Sequence, residues 1–206
     1  MIKIIDYGLG NIQAFLNAYK SLGIQAESVK VPDNLKDASH LILPGVGSFD
    51  QAMSMLNASG MREEISNLVL NKSIPILGVC VGMQILGNHS EEGVAKGLGF
   101  IEGAIKKINL NNQKYRSQLP HMGWNDIFIK KNTIFNGLEV NPKFYFLHSY
   151  YFECDNNSSE IASFSYGSDM TCAINKKNFY GVQFHPEKSH HFGVKLLKNF
   201  SEIKHA

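Results

Sequence analysis

The sequence predicts an α/β fold, a single domain over residues 1–206 with a central, mostly parallel or mixed sheet flanked by helices. Three observations predict it. Short β-rich runs alternate with helical periods through the first half, Gly-rich turns close several of those runs, and from about Gly97 the chain becomes aromatic and β-branched. A chain of 206 residues is long enough to bury a core, and 44% apolar against 18% charged residues fits an ordinary globular protein rather than a disordered one.

In chain order, "IKIID" reads as a strand and "YGLGN" as a turn. Ile12, Phe15, Leu16, Tyr19 and Leu22 then keep a helical period, with Gly23 placed to end it. "AESVKV" and "HLILPG" read as the next strands, the second stopped by Pro44-Gly45. "SFDQAMSMLNASGMREEISNLVLN" reads as helix broken near Gly60, "IPILGV" as a buried strand, and "GMQILGNHS" as the opening of a helix. This alternation implies parallel strands, whose ligands bind beyond the carboxyl ends, where "DYGLGN", "PGVGSF" and "GVCVGM" all fall. After Gly97, "GFIEGAIKKINL", "WNDIFIKKN", "KFYFLHSYYFEC", "EIASFSY" and "MTCAINKKNFYGVQF" read as an antiparallel or mixed continuation of the sheet. "FGVKLLKNFSEI" closes the chain as an amphipathic helix. No repeat, low-complexity tract or linker interrupts it.

Charge and cysteine usage exclude several classes of function. The net charge is +2, and the lysines come singly or in pairs such as Lys106-Lys107, not as the stripe a nucleic acid requires. No stretch approaches the ~20 apolar residues of a membrane helix, and the first residues do not resemble a secretory leader. Three widely spaced cysteines, Cys80, Cys154 and Cys172, argue against a disulfide framework and for a reducing, cytoplasmic setting. Cys154 and Cys172 read as small hydrophobes in strands. No metal-ligand spacing appears, and His190-His191 are adjacent rather than on one helical face, so no metal is expected.

The stretch "ILGVCVGMQIL" carries the chemistry. A residue at a sharp strand-to-helix turn needs neighbours without bulk, and Gly78 and Gly82 flank Cys80. Such a turn holds the sulfur at a helix N-terminus, where unpaired N–H groups favour a thiolate over a thiol of pKa ~8.5. The Val81 N–H beside it can face an oxyanion. The same turn can equally hold a buried, inert cysteine. A nucleophile needs a base, and His185 follows an apolar strand in "GVQFHPEKS", with Glu187 two residues on to orient it. His121 and His148 lie among aromatics and read as core residues; His40, His89 and His205 have no supporting context.

Taken in order, "GVCVGMQIL", "PGVGSF", "HMGWN", "YFLHSYY" and "QFHPEKS" resemble the class I (triad) glutamine amidotransferases, of flavodoxin-like architecture. Within that class the chain is similar to the glutaminase subunits of imidazole glycerol phosphate synthase, from "IIDYGLGN" to "LLKNF". The resemblance implies a triad of Cys80 as nucleophile, His185 as base and acid, and Glu187 orienting it, with glutamine hydrolysed through a thioester and no cofactor. It implies oxyanion donors at Val81 and around Val46 and Gly47. Glutamine would be held by Gln84, by Glu92 at its α-amino group, and by backbone at Ser149 and Tyr150. Without the resemblance, Gln84 reads as an exposed helix residue. The implied partner is a separate HisF-type (β/α)8 cyclase, forming a heterodimer over Asn11, Trp124, Tyr145 and Lys188, although Trp124 and Tyr145 could equally be core. Nothing in the chain resembles a sugar-phosphate site, so ammonia is expected to pass to the partner for histidine biosynthesis. Val81 where relatives often carry leucine, "SHHFG", and the Asn-rich segment 109–113 depart from the pattern. They leave open a paralogous donor of ammonia to another acceptor, for instance an amidine-forming enzyme of surface-sugar biosynthesis. A partner-independent hydrolase and a non-catalytic binding subunit are the readings from other classes.

Overall fold

Strands buried on both faces set the centre of the molecule. In a computed structural model, which describes residues 1–110, 118–139 and 142–204, β1 (Ile2–Ile5), β3 (His40–Gly45) and β4 (Ile76–Cys80) are buried along their whole length. Near-continuous runs of Ile, Leu and Val suit parallel strands covered on both sides, each full burial contributing ~1.5–3 kcal/mol. With β2 (Ala26–Val29) at the edge, these strands pair in parallel in the order β2-β1-β3-β4.

The helices follow from the same patterning. α1 (Ile12–Ser21) buries Phe15 and Tyr19, is capped by the Asn11 side chain accepting from Ala14 N–H at 3.2 Å, and ends before Gly23 at φ +68°. α2 (Phe49–Ala58) and α3 (Met61–Asn71) are separated by Gly60 at φ +70°, the predicted break. The helix after Cys80 is shorter than the sequence suggests. α4 spans only Val81–Gln84, one turn. The following chain drops into β5 (His89–Ser90), where the Asn88 and Glu91 N–H groups bond to carbonyls of Gly103 and Ile105.

The second half is mixed, with one departure from expectation. β6 (Gly103–Lys107), β7 (His121–Ile129), β8 (Lys143–His148), β9 (Tyr150–Cys154), β10 (Glu160–Ser165), β11 (Asp169–Lys176) and β12 (Phe179–Val182) form two sheets. The nine-stranded sheet runs β2-β1-β3-β4-β12-β11-β10-β7-β8, while β5-β6-β9 form a separate three-stranded sheet rather than a continuation. "KFYFLHSYYFEC" therefore divides at Ser149, whose carbonyl accepts from Ile108 N–H at 3.0 Å and turns the chain toward β6. α5 (His190–Ser201) packs on α1, and the Tyr19 hydroxyl donates to the Leu197 carbonyl at 3.4 Å. Residues 111–113 of the Asn-rich segment, and His205, lie outside the described residues. Among the described residues no helix is long and apolar enough to cross a membrane.

Sheet order brings the sequence-distant residues together. β12 returns parallel to β4, with Val79 opposite Val182, so the chain leaves both strands at the same edge. Gly45, ending β3, lies opposite Cys80 on the other side.

Candidate active site

Cys80 is buried, 4% exposed, with φ +56°. Only small neighbours permit this turn. A Cβ on Gly82 would overlap the Leu43 carbonyl oxygen, one on Gly78 would come within 2.5 Å of the Gly82 carbonyl oxygen, and one on Gly45 within 2.5 Å of Gly82 N. The punctuation of the sequence is thus a packing requirement, with α4 laid directly over β3 and β4. Since α4 is a single turn, its aligned dipoles give the sulfur less than a full helix would. The side chains around it matter more.

From the neighbouring strand, Gln183 donates through Nε2 to Cys80 Sγ at 3.7 Å, and the sulfur lies 3.9 Å from the Leu147 carbonyl oxygen. Two residues on, His185 lines the same cavity as Cys80 and interacts with its side chain, and its Nδ1 is 2.8 Å from Glu187 Oε1. A single turn over Pro186–Lys188 swings Glu187 back onto the imidazole. Ser189 fixes that turn, donating to the His185 carbonyl at 2.7 Å and accepting from Tyr145 N–H at 3.0 Å. Burial opposes a charge on His185, but the hydrogen bonds and charges of Cys80 and Glu187 outweigh it and raise the pKa to about 10. This favours an imidazolium beside the sulfur at neutral pH. The second Glu187 oxygen, Oε2, is buried with no hydrogen-bond partner among the described residues.

The sulfur opens onto a cavity of about 310 Å³. Val46, Gly47, Val81, Gln84, Glu92, Ser149, Tyr150 and Lys188 line it together with Cys80 and His185. Gln84 is buried rather than exposed, because its single-turn helix is covered; its Nε2 donates to Gln183 Oε1 at 3.0 Å and to the Tyr150 carbonyl at 3.2 Å. Glu92 Oε2 accepts from Phe49 N–H at 2.8 Å. The Tyr150 carbonyl also accepts from His148 Nδ1 at 2.8 Å, so a neutral His148 has Nε2 free to accept from His121 Nδ1 at 3.1 Å. Burial holds both rings neutral, pushing His148 to about 3 and His121 to about 4. The two histidines read as core residues are therefore a directed pair behind the cavity wall, and His148 also lines it.

Of the remaining predicted residues, Lys188 lines the cavity, while Asn11, Trp124 and Tyr145 lie outside its lining. Lys188 lies over the Tyr145 ring at 5.8 Å, and Tyr145 meets Trp124 edge-on at 6.1 Å. Trp124 is not core: it is 46% exposed and stacks on His190 at 5.1 Å. Tyr145 is half-buried. Asn11 is exposed and follows Gly10, which packs closely against Pro44 of β3. Sequence reasoning missed Gln183, Leu147 and Pro120, which line or complete the site. Gln183 stands in the quoted "QFHPE", but only the parallel pairing of β12 with β4 reveals that it reaches Cys80.

With this geometry established, comparison with known proteins is informative. The glutamine amidotransferase class-I family model matches residues 3–203. The imidazole glycerol phosphate synthase subunit HisH of Leptospira borgpetersenii is 52% identical, covering 98% of this chain and 100% of its own. That of Bdellovibrio bacteriovorus is 54% identical, again covering 98% and 100%. Among solved structures, PurLQS from Thermotoga maritima superposes with a TM-score of 0.71 at 18% identity, covering 97% of this chain and 96% of the other, a likeness of fold alone. The chain belongs to the class I glutamine amidotransferase family.

Proposed function

We propose that this chain is the glutaminase subunit of an imidazole glycerol phosphate synthase, a single domain over residues 1–206 that works in the cytoplasm and passes ammonia to a cyclase. The observation that carries the chemistry is Cys80, on its strained turn, sharing one cavity with an imidazole held by a buried carboxylate. The Cys80 thiolate attacks the side-chain carbonyl carbon of glutamine, and the oxyanion is met by the Val81 N–H and an amide of the Val46–Gly47 loop. His185 gives its proton to the departing nitrogen, the C–N bond breaks, and ammonia leaves a γ-glutamyl thioester on Cys80. His185, now neutral, takes a proton from water, whose oxygen attacks the thioester; glutamate departs and the thiolate–imidazolium pair is restored. Glu187 keeps Nε2 toward the sulfur throughout. Gln84 and the backbone at Ser149 and Tyr150 shape the pocket around the substrate, and the Glu92 carboxylate meets its α-ammonium. No cofactor enters any step.

The family assignment and the high identity to relatives named as HisH subunits support the histidine-pathway role. An apolar face beside the cavity supports a docked partner, which we assign as a (β/α)8 cyclase in a heterodimer. Met122, Trp124 and Leu147 are 66%, 46% and 37% exposed, with Met122 opposite Leu147 and Trp124 opposite Tyr145 in the β7–β8 register. Contiguous exposed apolar surface of this kind marks interaction sites. Tyr145, Lys188 and Asn11 complete the proposed face. The test mixes the chain with a histidine-pathway cyclase, its ribonucleotide substrate and glutamine. Glutamine-dependent product from the wild type and none from Cys80→Ala is expected. Glutaminase activity without transfer would point to another acceptor, and cysteine-independent turnover would overturn the mechanism.

A further inference from the structure

The loop that carries Glu92 runs from β5 to Gly97 with a lone bridge from Lys96 back to His89, yet it must hold a carboxylate still in the cavity wall. Two other carboxylates add to the anchoring that the Ser90 hydroxyl gives by accepting from Glu92 N–H at 3.0 Å. On the N-terminal side, Glu91 Oε2 accepts from Lys107 N–H at 2.9 Å and Oε1 pairs with Lys106 at 3.1 Å, tying the loop to β6. On the C-terminal side, Asp50 of α2 reaches across with both oxygens: Oδ2 accepts from Val94 N–H and Oδ1 from Ala95 N–H, each at 3.0 Å. Gly93 lies flat against this carboxylate, and a Cβ there would overlap it. The preceding residue of α2, Phe49, gives its N–H to Glu92 Oε2 at 2.8 Å. Two consecutive residues of one helix therefore grip the loop, one at the Glu92 side chain and the other at the backbone just beyond it.

Resting on the assignment of Glu92 to the substrate α-ammonium, we infer that Asp50 is a positioning residue for substrate selection, acting through Glu92 to set how strongly the pocket prefers an amide that carries an α-amino group. A carboxylate accepting two backbone N–H groups is a strong, directional anchor, and a specificity group works only when its own support is rigid. Among the described residues no ion pair neutralises Glu92. Its charge is thus available to an entering cation, and a displacement of the loop would cost that contact. α2 also begins directly after the Val46–Gly47 loop, so one element spans the sulfur end of the pocket and the amino end.

The test compares kcat/KM for glutamine with that for glutaramate, which is glutamine without its α-amino group, in the complete complex. Asp50→Ala is expected to lower the glutamine preference about tenfold, mainly by raising KM for glutamine, while glutaramate turnover stays near wild type. Asp50→Asn, which keeps one acceptor oxygen, should fall between, and it serves as the measured variant should Asp50→Ala not fold. Glu92→Gln provides the reference loss of preference. If Glu92→Gln loses the preference and both Asp50 variants keep it, the role of Asp50 is overturned and that of Glu92 stands. If Glu92→Gln keeps the preference, the Glu92 assignment falls, and this inference with it. A role for Asp50 confined to α2 stability would lower the melting temperature and leave the ratio of the two substrates unchanged.

Discussion

Cys80 holds a backbone conformation, φ +56°, that costs a side-chain-bearing residue about 1–3 kcal/mol and persists only where packing enforces it. The return is a sulfur within reach of His185 from the adjoining strand. Glu187 then decides how that imidazole works. Glu187→Gln keeps an oxygen near Nδ1 but removes the charge, so kcat should fall roughly 10²–10⁴-fold with KM moved far less; steady-state ammonia release by the complex measures it, and an unchanged kcat would remove Glu187 from the mechanism. Cys80 and His185 were legible in the sequence because their surroundings are local: glycines that a tight turn requires, and a proline and carboxylate directly after the histidine. Gln183 was not legible, since its contact with the sulfur depends on strand pairing. Gln84 reads as exposed without the family pattern, because burial of a one-turn helix between two sheets leaves no amphipathic period to read.

At the scale of elements, the parallel return of β12 beside β4 is what assembles nucleophile and base. The alternation of strands and helices announced the parallel half of the sheet, whereas the split of one aromatic run into β8 and β9 carried no sequence signal. That split places His148 at the end of β8, against His121 of β7. Both rings are neutral in the folded chain, at about 3 and about 4, but titrate near 6.5 when unfolded. Between those values the unfolded state binds more protons, so stability falls as pH drops from about 6.5 toward 4, by up to about 1.4 kcal/mol per pH unit for each histidine. His185 acts in the opposite direction. Its raised pKa contributes stability that is full below about 6.5 and lost as pH rises through about 10. Urea unfolding across pH 4–7 should therefore show an acid limb that flattens in the His121→Phe/His148→Phe double variant; an equally steep limb there would assign acid sensitivity to other groups.

At the scale of the whole molecule, the cavity opens beside exposed aromatic and aliphatic side chains of β7 and β8. A large aromatic at the centre of such a face is a typical binding anchor, so Trp124→Ala should weaken the complex by about 2 kcal/mol, near thirtyfold, with little change in the stability of the isolated chain. Titration with the cyclase reads the first and thermal unfolding the second. A loss of stability without a loss of affinity would return Trp124 to a packing role. The central claim concerns one covalent bond. The complex turning over glutamine should be acid-quenched, digested and analysed by mass spectrometry at the peptide that carries Cys80. A γ-glutamyl group on Cys80, which forms with glutamine and disappears as glutamine is exhausted, is the predicted result. Sustained ammonia release with Cys80 unmodified, or undiminished release from Cys80→Ala, would contradict the account.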